Sequence, residues 1–437
     1  MQNLAEVRLW GKLLGALVYQ PQSRLCSFEF SPEWLQQQVE IAPLHMPLST
    51  QIYQFPGLSH ETYKGLPAVF ADALPDDFGN AVINDWLARN GRDAASFTPL
   101  ERLLYIGKRG MGALEFEPAI SVAQKESEQI ELASLVNMAQ QILDKRAKFS
   151  MTVNHESDQQ DNAMSMLFQV GTSAGGARAK ALIAVNQQRS EIRSGQTDAP
   201  PGFEHYLLKF DGVEEHKVNS EVFGDPKGFG RMEYAYYLMA KDAGIDMMHS
   251  ELLKEGPRAH FMTKRFDRDG NKKLHYVSLC AMDHADYKKP GNYSYEQMLA
   301  VARRLRLPRQ DAVEIFRRMV FNVVARNHDD HSKNFGFLLA SPQAQWRLSP
   351  AFDVAYSYKK DSPWVNTHQL SLNGKRDLFT RDDLLSVAGL IGNFNKTAKQ
   401  IIDEVISVVS NWDAYAQKAG VFDELADEIK HNHRLSF

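Results

Sequence analysis

Arg326-Asn327-His328-Asp329-Asp330-His331-Ser332-Lys333-Asn334 decides how this chain is read. It follows a run with apolar residues at Ile315, Met319, Val320 and Val323, the three-and-four spacing of a helix with one buried face. It precedes Phe335-Gly336-Phe337-Leu338-Leu339, which reads as a strand. The polar loop between them carries a carboxylate, Asp329, and returns an amide, Asn334, after four intervening residues. A loop that short can aim the carboxylate at a hydroxyl and the amide oxygen at a divalent cation beside a phosphate. Two other readings compete. His328, Asp329, Asp330 and His331 are suitable transition-metal ligands, although no second His/Asp cluster nearby completes such a site. The run could also be a solvated polar turn.

The order of motifs around this loop separates the three readings. The Asp329-to-Asn334 spacing is that of the kinase catalytic loop, HRDxxxxN, with His328 next to the acid. Downstream, Ser349-Pro350-Ala351-Phe352-Asp353-Val354 brings an apolar approach to a single acid, where kinases carry a second metal-binding aspartate. Val354 replaces the usual glycine, so the local backbone must differ. Upstream, Val170 to Lys180 reads VGTSAGGARAK. Gly171, Gly175 and Gly176 let backbone approach a phosphate, and Arg178 and Lys180 add positive charge. It is no Walker A loop, because no GK[ST] follows. Lys209 ends the alternating strand HYLLKF, in which Tyr206, Leu208 and Phe210 face away from it. The next helical run, GRMEYAYYLMAKDAGI, offers Glu233 as its partner, although a first-turn acid is also favoured simply by the helix dipole. Each element alone is ordinary; a glycine-rich hairpin is usually a turn, and a lysine at a strand end is usually at the surface. Loop, lysine, helix, catalytic loop and metal acid in this order specify phosphoryl transfer.

Composition bounds the alternatives. With 437 residues the chain suggests two or three packed units, and 43% hydrophobic with 24% charged residues is ordinary for a globular protein. A net charge of −4 argues against bulk attraction to nucleic acid or an anionic membrane. Cys26 and Cys280 fit neither a disulfide framework nor zinc spacing, and read as buried thiols in a reducing compartment. The N-terminus interrupts its apolar residues with Glu6, Arg8 and Lys12, unlike a secretory signal, and no uncharged apolar run reaches membrane-spanning length. A cytoplasmic location with no membrane partner is the expectation.

Along the chain, residues 5–30 read as two or three strands with turns at Gly15 and near Pro21. Asp76 and Asp77 look like a helix start and Gly91 its stop, and the segment from Glu126 to Lys148 has the spacing of a connecting helix. Strand-like runs dominate from Phe168 to Phe266, and helical runs from Ser294 onward. The expected fold is therefore α+β and bilobal, protein-kinase-like, with a strand-rich N-terminal part, an extra N-terminal subdomain and a mainly helical C-terminal lobe. The expected units are residues 1–145, 146–275 and 276–437, the second carrying the Gly-rich loop and phosphate-binding lysine, the third the catalytic loop.

With these residues in hand the chain resembles the HipA family of bacterial serine/threonine-protein kinase toxins. The marks are LWGKLLGALVY, FADALPDDFG, SAGGARAKAL, LLKF, TKRFDR, DDHSKNFGF and SPAFDV, spread over nearly the whole length. The resemblance implies ATP and Mg²⁺ as cofactors, Asp329 as catalytic base, and Asn334 and Asp353 as metal ligands. It implies nucleotide contacts from Gly175, Gly176, Ala177, Arg178, Lys180 and Lys209. Lys264 to Phe266 would hold adenine through main-chain atoms, with Asp267 and His331 near ribose or phosphates. It further implies self-inhibition by autophosphorylation in the Gly-rich loop, at Ser173 with Thr172 as the fallback, where added negative charge lies in the path of the ATP phosphates. A HipB-like helix-turn-helix antitoxin, operator DNA bound through that complex, and a glutamyl-tRNA synthetase as protein substrate complete the implied partners. The loop departs from the best-known members, GGARAK standing for GAQEK, and Lys264 stands where an acid often precedes RFDR. Two alternatives accompany the kinase reading. One is a corepressor module acting with the antitoxin, the nucleotide being only structural. The other is a phosphotransferase of the aminoglycoside type, whose D-x-H-x-x-N loop is close to Asp329–Asn334; the long N-terminal unit argues instead for a protein substrate.

Overall fold

The computed structural model is described for residues 3–119, 131–148, 179–214, 224–225 and 228–437. Its first sheet is built from strands Leu4–Leu9 (β1), Lys12–Gln20 (β2) and Leu25–Phe30 (β3), closed by Leu114–Glu117 (β4) in the antiparallel order β3-β2-β1-β4. Along β1 and β3 buried and less buried residues alternate, the two-residue period of a sheet with one face covered. The first turn falls at Trp10-Gly11, both with positive φ, rather than at Gly15. Gly15 lies within β2 because the neighbouring strand is close: a Cβ there would stand 2.1 Å from the Glu29 carbonyl oxygen. The Asp76 side chain caps the helix Asp77–Arg89 by accepting from the Gly79 amide at 2.6 Å, as the sequence suggests.

A second, five-stranded antiparallel sheet holds Lys180–Asn186 (β5), Ile192–Ser194 (β6), Phe203–Lys209 (β7), Ser250–Glu255 (β8) and Arg258–Lys264 (β9), in the order β8-β9-β7-β5-β6. The helix Phe229–Asp242 packs against β8 and β9. A small sheet of His275–Ser278 (β10), Gly336–Leu339 (β11) and Arg347–Leu348 (β12) then leads into a half made largely of helices, among them Tyr295–Arg304, Arg309–Val324 and Asn395–Ser410. The fold is α+β and kinase-like, the five-stranded sheet preceding the largely helical half.

The hydrophobic cores cut across the expected unit boundary at residue 145. Phe78, Val82, Leu87, Leu135 and Val136 from the N-terminal helices share one core with Ala181, Ile183, Tyr206, Leu208 and Phe210 of the five-stranded sheet. One face of that sheet would otherwise be bare, and each large side chain so covered is stabilising by about 1.5–3 kcal/mol. The other core joins the first sheet, through Phe28, Phe70 and Phe116, to Met282 and Phe316 of the helical half. Polar ties cross the same seam, including the Trp10 indole to the Lys273 carbonyl at 2.9 Å and the Tyr63 hydroxyl to the Cys280 carbonyl at 3.1 Å. Cys26 and Cys280 are both buried free thiols, and burial pushes the Cys26 thiol up to about 12. Among the described residues no helix is long and apolar enough to cross a membrane.

Candidate functional site

The helix Arg309–Val324 buries Ile315, Phe316, Met319, Val320 and Val323 and delivers the polar loop at its C-terminal end. Successive side chains of that loop then meet different fates. His328 is fully buried; its Nδ1 lies 3.1 Å from the Val365 carbonyl oxygen and its ring 4.1 Å from that of His368. Burial, with His368 and Arg326 nearby, drives its pKa down to about 2, so the ring is neutral and donates to Val365. Asp330, 1% exposed, accepts from the Tyr295 hydroxyl at 2.7 Å, the Gln369 amide at 2.7 Å and His368 Nδ1 at 2.9 Å. Asp329, whose side chain is 37% exposed, is the acid left facing outward. Its Oδ1 accepts from the Trp364 indole at 2.8 Å, and its main-chain oxygen accepts from the Asn334 amide at 2.8 Å. His331 Nε2 stands 3.7 Å from the same Oδ1. The transition-metal reading of His328–His331 does not survive this division, since two of the four side chains are spent inside the protein. Among the described residues no group of three or more His, Cys, Asp or Glu is placed to hold a metal.

Across a cleft from Asn334, Lys209 ends β7, where it is 6% exposed. Its Nζ pairs with Glu233, 2% exposed, and lies 2.5 Å from Asp353 Oδ1. Glu233 is thus a buried partner of Lys209 and not a solvated first-turn acid. The helix that carries it approaches β9 closely at Gly230, where a Cβ would lie 2.1 Å from the Ala259 carbonyl oxygen. Asp353 itself takes a positive φ of 52°, a conformation that costs a non-glycine residue of order 1 kcal/mol. The backbone irregularity expected from Val354 is therefore found one residue earlier.

Lys209, Glu233, Asn334 and Asp353 share this cleft with the apolar walls Leu182, Phe261 and Phe352. Lys264 and Phe266 also line it. The main-chain amides of Lys264 and Arg265 already donate to the carbonyls of His249 and His205, each at 2.9 Å, so neither amide is free for an adenine ring. Asp267, expected near ribose or phosphates, also lines this cleft, and its carboxylate is held by neighbouring protein groups. It accepts from Arg265 at 2.8 and 2.7 Å, from Arg268 at 2.6 Å and from the Gly112 amide at 2.7 Å. Burial alone would raise its pKa, but the two guanidinium groups hold it well below the carboxylate range. Lys180 is buried, with its Nζ 3.0 Å from Asp76 Oδ2. Ser173, Gly175, Gly176, Ala177 and Arg178 lie outside the described residues.

Two participants escape the sequence reading. Asp72, in FADALPDDFG, lines the cleft and accepts from both the amide and the hydroxyl of Ser278 at 2.7 Å. Burial pushes its carboxyl up, opposed by Lys333 and Ser278. Trp364 sits on Asp329 from 35 residues downstream. Neither carries a local signal of periodicity or spacing.

Comparison with known proteins gives the same outline. Residues 5–117 match the model of the HipA N-terminal domain and residues 172–412 that of the HipA-like C-terminal domain. No curated protein matches the chain. Among solved structures, a Shewanella oneidensis MR-1 toxin–antitoxin HipA, crystallised with HipB and operator DNA, superposes with a TM-score of 0.66 at 14% identity, over 98% of this chain and 94% of that one. The Helicobacter pylori proinflammatory kinase CtkA aligns over 53% of this chain and 88% of its own, at 14% identity and a TM-score of 0.33.

Proposed function

Because the chain belongs to the HipA family, we propose that it is an ATP- and Mg²⁺-dependent serine/threonine-protein kinase acting within a toxin–antitoxin system. The observation that carries this reading is Lys209 held between Glu233 and Asp353 in a cleft that also contains Asn334, with Asp329 beside it. The residues fit the cofactors. A hard cation takes oxygen donors, which Asn334 and Asp353 supply, and two protein ligands suffice for a Mg²⁺ that completes its shell with phosphate and water. A buried ammonium fixed by a carboxylate suits a polyphosphate, and the cleft's apolar walls suit a base.

ATP with Mg²⁺ supplies the transferable phosphoryl group and a cation to offset its charge. The chain's own part is positional. Glu233 fixes Lys209 so that its charge faces the phosphates. Asp353 and Asn334 would hold Mg²⁺ through their side-chain oxygens, Asn334 being tied to the Asp329 carbonyl through its amide N–H at 2.8 Å. Asp329 orients the acceptor hydroxyl and takes its proton. Positioning and charge stabilisation of this kind supply most of the rate in phosphoryl transfer. His331, 3.7 Å from Asp329 Oδ1, keeps its proposed place near the ribose or phosphates.

The finer parts of the proposal rest on family kinship. They are a HipB-like antitoxin and operator DNA as partners, a glutamyl-tRNA synthetase as substrate, and self-inhibition by phosphate on Ser173. The test is incubation of the purified protein with ATP and Mg²⁺, followed by intact-mass and peptide mass spectrometry, beside Asp329→Asn. Phosphate transferred by the wild type and absent in the variant, with ATP binding equal in both, is the expected result. Transfer retained by Asp329→Asn refutes the base assignment. No transfer by either protein, with ATP still bound, favours a corepressor that uses nucleotide only structurally.

A further inference from the structure

Three consecutive residues of the catalytic loop meet one downstream segment, residues 362–370. His328 donates to the Val365 carbonyl at 3.1 Å, and Asp330 accepts from the Gln369 amide at 2.7 Å and from His368 at 2.9 Å. The Gln369 side-chain amide in turn donates to the Trp364 carbonyl, and Ser362 Oγ accepts the main-chain N–H of Trp364 at 3.2 Å. The anchors are buried: His328 is 0%, Asp330 and His368 are 1%, and Gln369 is 3% exposed. The backbone of Trp364 is therefore set from within the protein, on both sides. From that fixed base its indole N–H reaches Asp329 Oδ1 at 2.8 Å. A part-exposed aspartate has a free rotor and two equivalent oxygens; one N–H donor on a rigid ring removes both freedoms.

We infer that Trp364 is a positioning residue for the phosphotransfer proposed above, tying Asp329 through Oδ1 so that Oδ2 meets the acceptor hydroxyl. The contact lies on the acceptor side, outside the residues that line the nucleotide cleft, so its loss acts on turnover and leaves nucleotide binding alone. His331, its ring 6.3 Å from that of Trp364 and tilted 58° to it, flanks the same side of Asp329.

The experiment compares wild type with Trp364→Phe, which keeps an aromatic ring and removes the N–H. Initial rates of labelled phosphate transfer from ATP to casein and to the chain itself are measured across ATP concentrations, with the thermal midpoint of each protein. The expected result is a fall in kcat of about tenfold, equivalent to about 1.4 kcal/mol, with KM for ATP and the midpoint unchanged. A kcat equal to wild type overturns the inference while leaving the kinase reading intact. A joint change in kcat, KM and midpoint also overturns it, since that pattern marks a residue that merely holds the fold. A wild type that transfers no phosphate removes the kinase reading itself, and this inference with it.

Discussion

Asp267→Asn separates a structural role for Asp267 from the ligand role that the sequence resemblance implies. The substitution keeps the side chain's shape, so no cavity forms; what it removes is one negative charge between Arg265 and Arg268. Asp267 is 1% exposed and the two arginine side chains are 4% and 6% exposed, so solvent screening takes little from the interaction. Burial, with Arg265 beside it, already brings the Arg268 guanidinium down to about 10, opposed by Asp267 and by Glu115. Breaking one partner of such a buried cluster costs about 3–5 kcal/mol. Unfolding entropy of about 2.1 cal/mol/K per residue gives roughly 0.9 kcal/mol/K for 437 residues unfolding together, so the melting point should fall by about 3–6 °C. Calorimetry measures that fall, and KM for ATP is determined on the same preparations. The pH dependence adds a check of sign. A carboxylate depressed in the folded state contributes its stability above the unfolded pKa near 3.9, and loses it only as pH falls through the lower folded value. The gap between wild type and Asn should thus be the same at pH 5 as at pH 7.5. An unchanged melting point with a raised KM for ATP would refute the reasoning and return Asp267 to the nucleotide.

Glu233→Gln takes the charge from a buried partner of Lys209, and the loss of a charge-assisted contact of about 1.5–3 kcal/mol should lower kcat/KM for ATP roughly 10- to 100-fold; steady-state kinetics with an unchanged value would show that Lys209 does not need the Glu233 charge. Gly230→Ala places a Cβ 2.1 Å from the Ala259 carbonyl and must push the Glu233 helix away from β9, costing about 1–3 kcal/mol and part of the transfer rate. Gly57→Ala, which meets nothing within 4 Å, is the control in the same denaturation and activity assays, and equal behaviour of the two would refute the crowding argument. Burial lowers His275, His284 and His433 to about 4 and His328 to about 2, so these rings stay neutral in the fold while the unfolded chain protonates them near 6.5. Because the unfolded state then binds more protons, the melting point should be level from pH 7 to 8 and fall as pH drops below about 6.5 toward 4. A melting point equal at pH 7.5 and 5 would mean that solvent reaches these rings.

What the sequence by itself determined about this protein was local. Strand alternation placed β7 with Lys209 at its end, Asp76 announced the helix it caps, and the apolar face at Ile315, Met319 and Val323 predicted the helix that delivers Asp329. The four residues between Asp329 and Asn334 were legible for the same reason: the reach of a short loop follows from backbone dimensions. The order of Lys209, Glu233, Asn334 and Asp353 was written in the chain, and the structure gathers all four into one cleft. Only the tertiary structure decided which charges those residues would face. Lys180 and Lys209 stand opposite each other in neighbouring strands, yet one turns to Asp76 and the other to Glu233 and Asp353. Asp267 went to its sequence neighbours Arg265 and Arg268 and to the distant Gly112 amide, and Asp329 received Trp364 from 35 residues downstream. A residue's type and spacing state what it can bond to, but competition among partners is settled by which groups folding brings within about 3 Å. The cores obey the same rule, since the helices before residue 145 cover the sheet that follows it to bury an apolar face that the chain's linear order assigns to neither.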